Sequence, residues 1–234
     1  MSRLRLAIIG AGRMGRAVAD LAPSLDFDIA ILESANVRRG GVTRELLKDA
    51  DVAVEFTAAE AAPSNIRGCA RANCPVVCGT TGWERERAAV EADVKQSGGA
   101  LLFSPNFAIG VHVFSKLVAE AGRRLRALPE FDAHIIDVHH AAKKDAPSGT
   151  AKLLQSQISE ALGRDVPVTS IRTGSVPGTH TVLFDAPFEQ LRLEHLARDR
   201  RVFASGALLA ARWLAGKRGV FTLDDMLDGM GGSR

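Results

Sequence analysis

The densest chemistry in the sequence is a single stretch: His139-His140-Ala141-Ala142-Lys143-Lys144-Asp145-Ala146-Pro147-Ser148-Gly149-Thr150. Two imidazoles can exchange protons near neutral pH. Two ammonium groups follow in a short loop, and Pro147-Ser148-Gly149 leads into a helix expected to start near Thr150. Cations beside the free N–H groups of a helix N-terminus favour an anionic, carboxylate-bearing ligand. The bland alternative is a solvated loop with incidental histidines. A zinc site is the rival reading for His139 and His140. Adjacent residues of a strand point to opposite faces, so the pair cannot easily share one ion. No other Cys or His set has ligand spacing, so no metal is expected.

A second constellation opens the chain. Gly10-Ala11-Gly12-Arg13-Met14-Gly15 is G-x-G-x-x-G placed between an apolar strand and a helix, the context that gives the pattern meaning. Gly10 permits the tight turn, Gly12 lets backbone approach a pyrophosphate, and Gly15 lets helix and strand pack closely. The alternative is a tight turn with a purely structural role. Glu33, 21 residues after Gly12, ends the next strand, where a carboxylate can bond ribose hydroxyls and would repel a 2′-phosphate. Arg38 and Arg39 are near enough in sequence to reach round. NADH is therefore expected to serve at least as well as NADPH. Gly79-Thr80-Thr81-Gly82 and Ser104-Pro105-Asn106-Phe107 each follow a later strand, on the carboxyl edge where the nicotinamide half would lie. Asn106 could bond its carboxamide. Phe107 could flank the ring or equally belong to the core.

These motifs need elements to hold them. Strand-like runs at 4–9, 28–32, 52–56, 75–78 and 100–103 alternate with helical segments at 14–21, 60–72 and 84–97, which argues for a parallel sheet covered on both faces. After Pro105 the pattern changes. A long helix over 111–125 precedes a strand at 132–138, a helix from about 150 to 162, strands at 169–172, 180–184 and 190–195, and helices at 206–215 and 223–227. The expected class is α/β: an N-terminal Rossmann dinucleotide-binding domain plus a mixed α+β domain, with the boundary near Asn106.

Composition agrees and excludes other classes. The chain has 234 residues, 46% hydrophobic and 24% charged, which suits one large or two lean soluble domains. No apolar run is long enough for a membrane span, and the start MSRLRLAIIG lacks the pattern of a secretory signal. Cys69, Cys74 and Cys78 are an odd set in C-x4-C-x3-C spacing, which matches no zinc or iron–sulfur pattern. Inert thiols in a reducing cytoplasm are expected. The net charge of +3 is mild and scattered, so a nucleic-acid partner is not expected.

The ordered motifs resemble a known family. They are Gly10–Arg16, Glu33, Gly79–Gly82, Asn106-Phe107, the His139–Ala151 block, Val176–His180 and Phe203–Leu208. Together they are similar to dihydrodipicolinate reductase of lysine and diaminopimelate synthesis, from about residue 5 to about residue 228. The resemblance implies a cytoplasmic homotetramer that reduces 4-hydroxy-tetrahydrodipicolinate with NADH or NADPH. It implies residues 1–106 and 205–234 as the dinucleotide-binding domain and 107–204 as the substrate-binding and oligomerisation domain. It makes His139 and Lys143 an acid/base pair, Lys143 being the favoured proton donor. His140, Lys143, Ser148, Gly149 and Thr150 would hold the substrate carboxylates. The cofactor residues would be Gly10, Ala11, Gly12, Arg13, Met14, Gly15, Glu33, Gly79, Thr80, Thr81, Ser104, Asn106 and Phe107. Three departures stand out: a glycine loop one residue shorter than the common form, a short Glu33–Asp51 connection, and Thr179 where an acid usually precedes the histidine.

Overall fold

A computed structural model describes residues 3–33 and 42–231; for residues 31–33 only the backbone is described. The chain forms two compact units, residues 1–107 with 201–234 and residues 108–200.

The first unit is built on six strands: β1 (Leu4–Ile9), β2 (Phe27–Glu33), β3 (Val52–Glu55), β4 (Val76–Cys78), β5 (Ala100–Phe103) and β10 (Gly219–Phe221). They pair in the order β10-β5-β4-β3-β1-β2, every neighbour parallel. All four residues of β3 and of β5 are buried. Continuous buried runs of this kind, apolar but for Glu55 at the end of β3, are what a parallel sheet covered on both faces requires. One face packs Ala7, Ile9, Ala53, Val76 and Leu101 against Ile66, Cys69, Val90 and Val94, from α3 (Ala62–Arg71) and α4 (Arg87–Gln96). Helix α7 (Arg201–Leu214) packs on β3, β4 and β5 and against α1 (Arg13–Leu21). Two short elements escape the sequence reading: α2 (Arg44–Leu47) and β10. Each is under five residues, too short to show a period. The two largest differences at element ends come late in the chain. The last long helix begins at Arg201, five residues before the expected start, and α8 runs over Leu223–Gly231.

The second unit pairs β7 (Val168–Arg172), β6 (Asp132–His139), β8 (Thr179–Ala186) and β9 (Glu189–Leu196) in that order. β6 and β7 are parallel; the other two pairings are antiparallel. Here β6 alternates strictly, one side chain buried and the next half-exposed, the signature of a sheet covered on one face only. The covering helices are α5 (Ile109–Leu125) and α6 (Gly149–Leu162). Phe114, Val118, Leu154 and Ile158 meet Ala133, Ile135, Val182 and Phe184 in its core. Among the described residues no helix is long and apolar enough to cross a membrane.

Candidate active site

The parallel sheet reverses its winding at β1, with β2 on one side and β3 on the other. In open α/β sheets the crevice beyond the carboxyl ends of such strands is where ligands bind. A cavity of about 350 Å³ lies there, lined by Gly12, Arg13, Met14, Phe56, Thr57, Ala58, Ala59, Gly79, Thr80 and Thr81. Two motifs far apart in sequence thus share one wall. A larger hollow of about 500 Å³ sits among Leu4, Asp51, Gly99 and Lys217, at the opposite edge and away from both loops.

The three motif glycines do different things. Gly10 has φ +109°, and a Cβ there would stand 2.2 Å from the Phe56 carbonyl oxygen. A Cβ on Gly15 would stand 1.7 Å from the Gly10 carbonyl oxygen. Both are fixed by close backbone approach. Around Gly12 a Cβ would meet nothing within 4 Å, so its emptiness faces the cavity. Gly12 is the N-cap of α1 and supplies no side-chain cap. The first N–H groups of that helix, from Arg13 to Gly15, therefore lack a helical acceptor.

Beneath this mouth lies a carboxyl that the sequence reading did not single out. Glu55 is wholly buried. It accepts from the Thr57 backbone N–H at 3.2 Å, from Asn65 Nδ2 at 3.2 Å, from the Cys78 thiol at 3.2 Å and from the Thr57 hydroxyl. The Thr57 N–H also donates to Thr80 Oγ1 at 2.8 Å. Thr80 is thus a tie between loops, whereas Thr81 is exposed. The Ser104 hydroxyl donates to the Asn106 carbonyl at 2.7 Å. Phe107 is 2% exposed and packs edge-on against Phe56, centroids 6.2 Å apart, so it touches the cavity wall through that ring. The Glu33 backbone pairs with Ile9 at the end of β2; its side chain, and all of Arg38 and Arg39, lie outside the described residues. Cys69, Cys74 and Cys78 are buried and free. Burial pushes all three thiols up, Cys74 to about 12, which keeps them un-ionised.

The second constellation assembles at one end of the other sheet. Register places Ser170, Asp137, His180 and His195 side by side across β7, β6, β8 and β9, with His139 opposite Arg172 two pairs further on. Paired and alternate residues share a face, so all six belong to the face that α5 and α6 cover. Asp137 is wholly buried. Its Oδ2 accepts from the Ser148 N–H at 2.9 Å, Arg172 at 2.9 Å and the Ser170 hydroxyl at 3.2 Å. Its Oδ1 accepts from the Ser148 hydroxyl at 2.8 Å and lies 2.9 Å from His139 Nδ1. Burial alone would raise this carboxyl, but the Ser148 N–H and the Arg172 guanidinium outweigh it and hold it at about 2. His180 Nε2 lies 3.2 Å from the Ser148 hydroxyl oxygen, and burial depresses this imidazole to about 4. Burial also lowers His139, with the Asp137 charge opposing and the Lys143 and Arg172 charges assisting. His139 is therefore a mostly neutral imidazole at neutral pH.

Ser148 caps α6, its hydroxyl accepting from the Ala151 N–H at 3.2 Å. That leaves the N–H groups of Gly149 and Thr150 without a helical acceptor, and a Cβ on Gly149 would meet nothing within 4 Å. Lys143 Nζ contacts both Asp145 oxygens, at 2.7 and 3.0 Å. His140 is half-buried on the opposite face of the strand end. His134 bonds the Thr169 hydroxyl at 2.8 Å, a satisfied structural histidine. Asp137, Ser170 and Arg172 are the residues of this cluster that sequence reasoning missed, and His180 entered only as part of the Val176–His180 motif, with no role given to it. The available signal was parity: Asp137 stands two residues before His139 in an otherwise apolar strand. Asp137, His139 and His180 each offer an atom within 4.8 Å of the others. A divalent cation there would face the Arg172 guanidinium, already on the same carboxylate.

A doubly wound sheet with an uncapped glycine-loop helix, joined in one chain to a mixed sheet bearing acid/base and cationic groups, defines an NAD(P)-dependent oxidoreductase of the Rossmann class. Comparison with known proteins narrows this. Residues 4–107 match the family model described as dihydrodipicolinate reductase, N-terminus, and residues 110–227 the one described as dihydrodipicolinate reductase, C-terminus. A 4-hydroxy-tetrahydrodipicolinate reductase of Methanoregula boonei is 37% identical, covering 95% of this chain and 97% of its own. One from Christiangramia forsetii is 32% identical over 96% and 98%. A dipicolinate-bound dihydrodipicolinate reductase from a Paenisporosarcina species shares the fold, with a TM-score of 0.78 at 20% identity, over 94% of this chain and 97% of that one. The chain belongs to the dihydrodipicolinate reductase family.

Proposed function

We propose that this chain reduces 4-hydroxy-tetrahydrodipicolinate to tetrahydrodipicolinate with NADH or NADPH, the 4-hydroxyl being lost as water, as the family's name and chemistry imply. The observation that supports it most directly is the pair of open helix N-termini, each beside its own motif. At Gly12 the first turn of α1 is uncapped and clear of side chains, which fits a pyrophosphate. A bound nicotinamide dinucleotide supplies the hydride.

The chain's own residues supply the rest. Gly10, Ala11, Gly12, Arg13, Met14 and Gly15 form the phosphate loop. Gly79, Thr80, Thr81, Ser104, Asn106 and Phe107 shape the nicotinamide end, and Glu33 takes the ribose hydroxyls. Gly149 and Thr150 offer two N–H groups to one substrate carboxylate, held in place by Ser148; His140 and Lys143 answer the other. Lys143 gives the proton that balances the charge left on the ring, and the neutral His139 orients or replenishes it. Residues 1–106 with 205–234 bind the dinucleotide; 107–204 bind the substrate and carry subunit contacts. The uncovered face of the second sheet exposes Ile171 and Leu196, apolar groups suited to packing in a homotetramer. A cytoplasmic location fits the reduced cysteines.

The test is a coupled assay in which the synthase that makes the unstable substrate feeds the purified chain. Oxidation of NADH that depends on the synthase is expected. NADH binding with no turnover would reject the reading, and a tenfold or greater kcat/KM preference for NADPH would reject the role given to Glu33.

A further inference from the structure

We infer that Asp137 is a positioning residue that acts on two parts of the reaction at once, setting the His139 imidazole and holding the substrate-binding turn of α6. The inference rests on the reductase reading of that site.

The geometry divides the work between the two carboxylate oxygens. Oδ1 meets His139 Nδ1 at 2.9 Å and takes the Ser148 hydroxyl at 2.8 Å. Oδ2 takes the Ser148 N–H at 2.9 Å and is anchored from β7 by Arg172 at 2.9 Å. A carboxylate gripped from three elements has no freedom to move, so whatever it holds is fixed relative to the sheet. Ser148 is 2% exposed, with its N–H on Asp137 and its hydroxyl shared between Asp137 and the Ala151 N–H. It therefore holds the turn that presents Gly149 and Thr150 to a ligand.

His139 Nδ1 lies 2.9 Å from Asp137 Oδ1, yet it has no aligned hydrogen bond. Catalytic hydrogen bonds are often poorly aligned without substrate and tighten when it binds. A small ring rotation puts Nδ1–H on Oδ1, and Nε2 then becomes the working nitrogen. Nε2 lies against Gly178, where a Cβ would stand 3.0 Å from it, so that side of the ring is kept clear.

The charged and titratable groups facing His139 are Asp137 on its own strand, Arg172 on β7, His180 on β8 and Lys143 in the following loop, itself paired with Asp145. His195 stands behind His180. Asp137 is the anion among them in direct contact with the ring. Removing its charge leaves the cations unopposed, so the pH limb that reports His139 must move to lower pH.

The experiment compares Asp137→Asn, His139→Gln and the double variant in the coupled assay, with melting curves and NADH titrations as controls. Asp137→Asn is expected to lower kcat about 100-fold, raise KM for the substrate about tenfold and leave NADH affinity within twofold. Its His139 limb should shift to lower pH. In the His139→Gln background the kcat loss should shrink below threefold while the KM rise persists. A kcat loss that stays full-size in that background, or an unmoved pH limb, overturns the inference. If Asp137→Asn does not fold, the imidazole 15N spectrum of the unaltered protein with pyridine-2,6-dicarboxylate decides. His139 protonated at Nδ1 supports the inference, and protonation at Nε2 overturns it. That measurement stands even if the unaltered protein shows no turnover, which would instead reject the reductase reading.

Discussion

The residue that opens α1 is Gly12 and the residue that opens α6 is Ser148. Both helices begin beyond the end of a strand, and both leave empty space over a glycine, Gly12 in one and Gly149 in the other. At α1 nothing caps the first turn, so three backbone donors lack a helical acceptor beside a cavity whose one charged lining residue is Arg13. At α6 the Ser148 hydroxyl takes one donor and leaves two, and cations and imidazoles crowd the turn. The first arrangement suits a pyrophosphate, which is long, highly charged and bound by backbone alone. The second suits a carboxylate, which has two oxygens and needs proton chemistry beside it.

The buried carboxyls beneath the two turns show the same contrast. Glu55 is held by hydroxyl, amide and thiol groups. Asp137 is held by a guanidinium, a serine and an imidazole contact. Glu55 can therefore tie loops together without moving a proton nearby, whereas Asp137 sets the charge state of its surroundings. One unit is built for binding and the other for binding with acid–base work.

That division can be broken most forcefully at Lys143. Lys143→Ala should lower kcat by about a thousandfold, roughly 4 kcal/mol in the barrier, while NADH affinity by fluorescence titration stays within twofold. A matching loss of NADH affinity would show that the two regions are not separable.

The pH dependence of stability comes next. His180 has an ordinary value of 6.5 and is held at about 4 in the fold. The unfolded chain takes up the proton first, so this contribution is complete above about 6.5 and is lost as pH falls toward about 4. It amounts to a few kcal/mol at most, at about 1.4 kcal/mol per unit. His139 and His195 are also lowered by burial and add with the same sign. Denaturant midpoints measured from pH 7 to pH 4.5 should fall, and His180→Gln should flatten much of the slope. An equal slope in that variant would show that the acid sensitivity does not come from His180.

The smallest effect is the sharpest comparison. Gly12→Ala and Gly149→Ala each add a methyl into open space, so melting temperatures should change little. Gly12→Ala should weaken NADH binding about tenfold, close to 1.4 kcal/mol, and spare KM for the substrate. Gly149→Ala should do the reverse. Gly15→Ala, where the new Cβ would stand 1.7 Å from a carbonyl oxygen, should destabilise the fold itself and serves as the contrasting control.

Most of the parallel sheet was legible because each strand there is a short apolar run closed by a turn, as in Leu4–Ile9 before Gly10. The glycine loop was legible because its function is written in consecutive residues. β10 and α2 were not, since three or four residues carry no period. At the polar end of the second sheet, His139 and Ser148 stood out because they lie in one dense stretch. Arg172 did not, and His180 stood out only in its own motif, since they lie 33 and 41 residues beyond His139 and only strand pairing brings them to Asp137.

The sequence by itself determined the family, the two kinds of ligand chemistry and the strands and helices that carry them. Those follow from local spacing, from periodicity and from residue types read in order. Tertiary structure alone decided which carbonyl oxygens close on the glycine loop, that of Phe56 on Gly10 and that of Gly10 on Gly15. It alone decided that Asp137 underlies both His139 and Ser148. These outcomes depend on which backbone lies against which and on strand register, which no single segment of the chain contains.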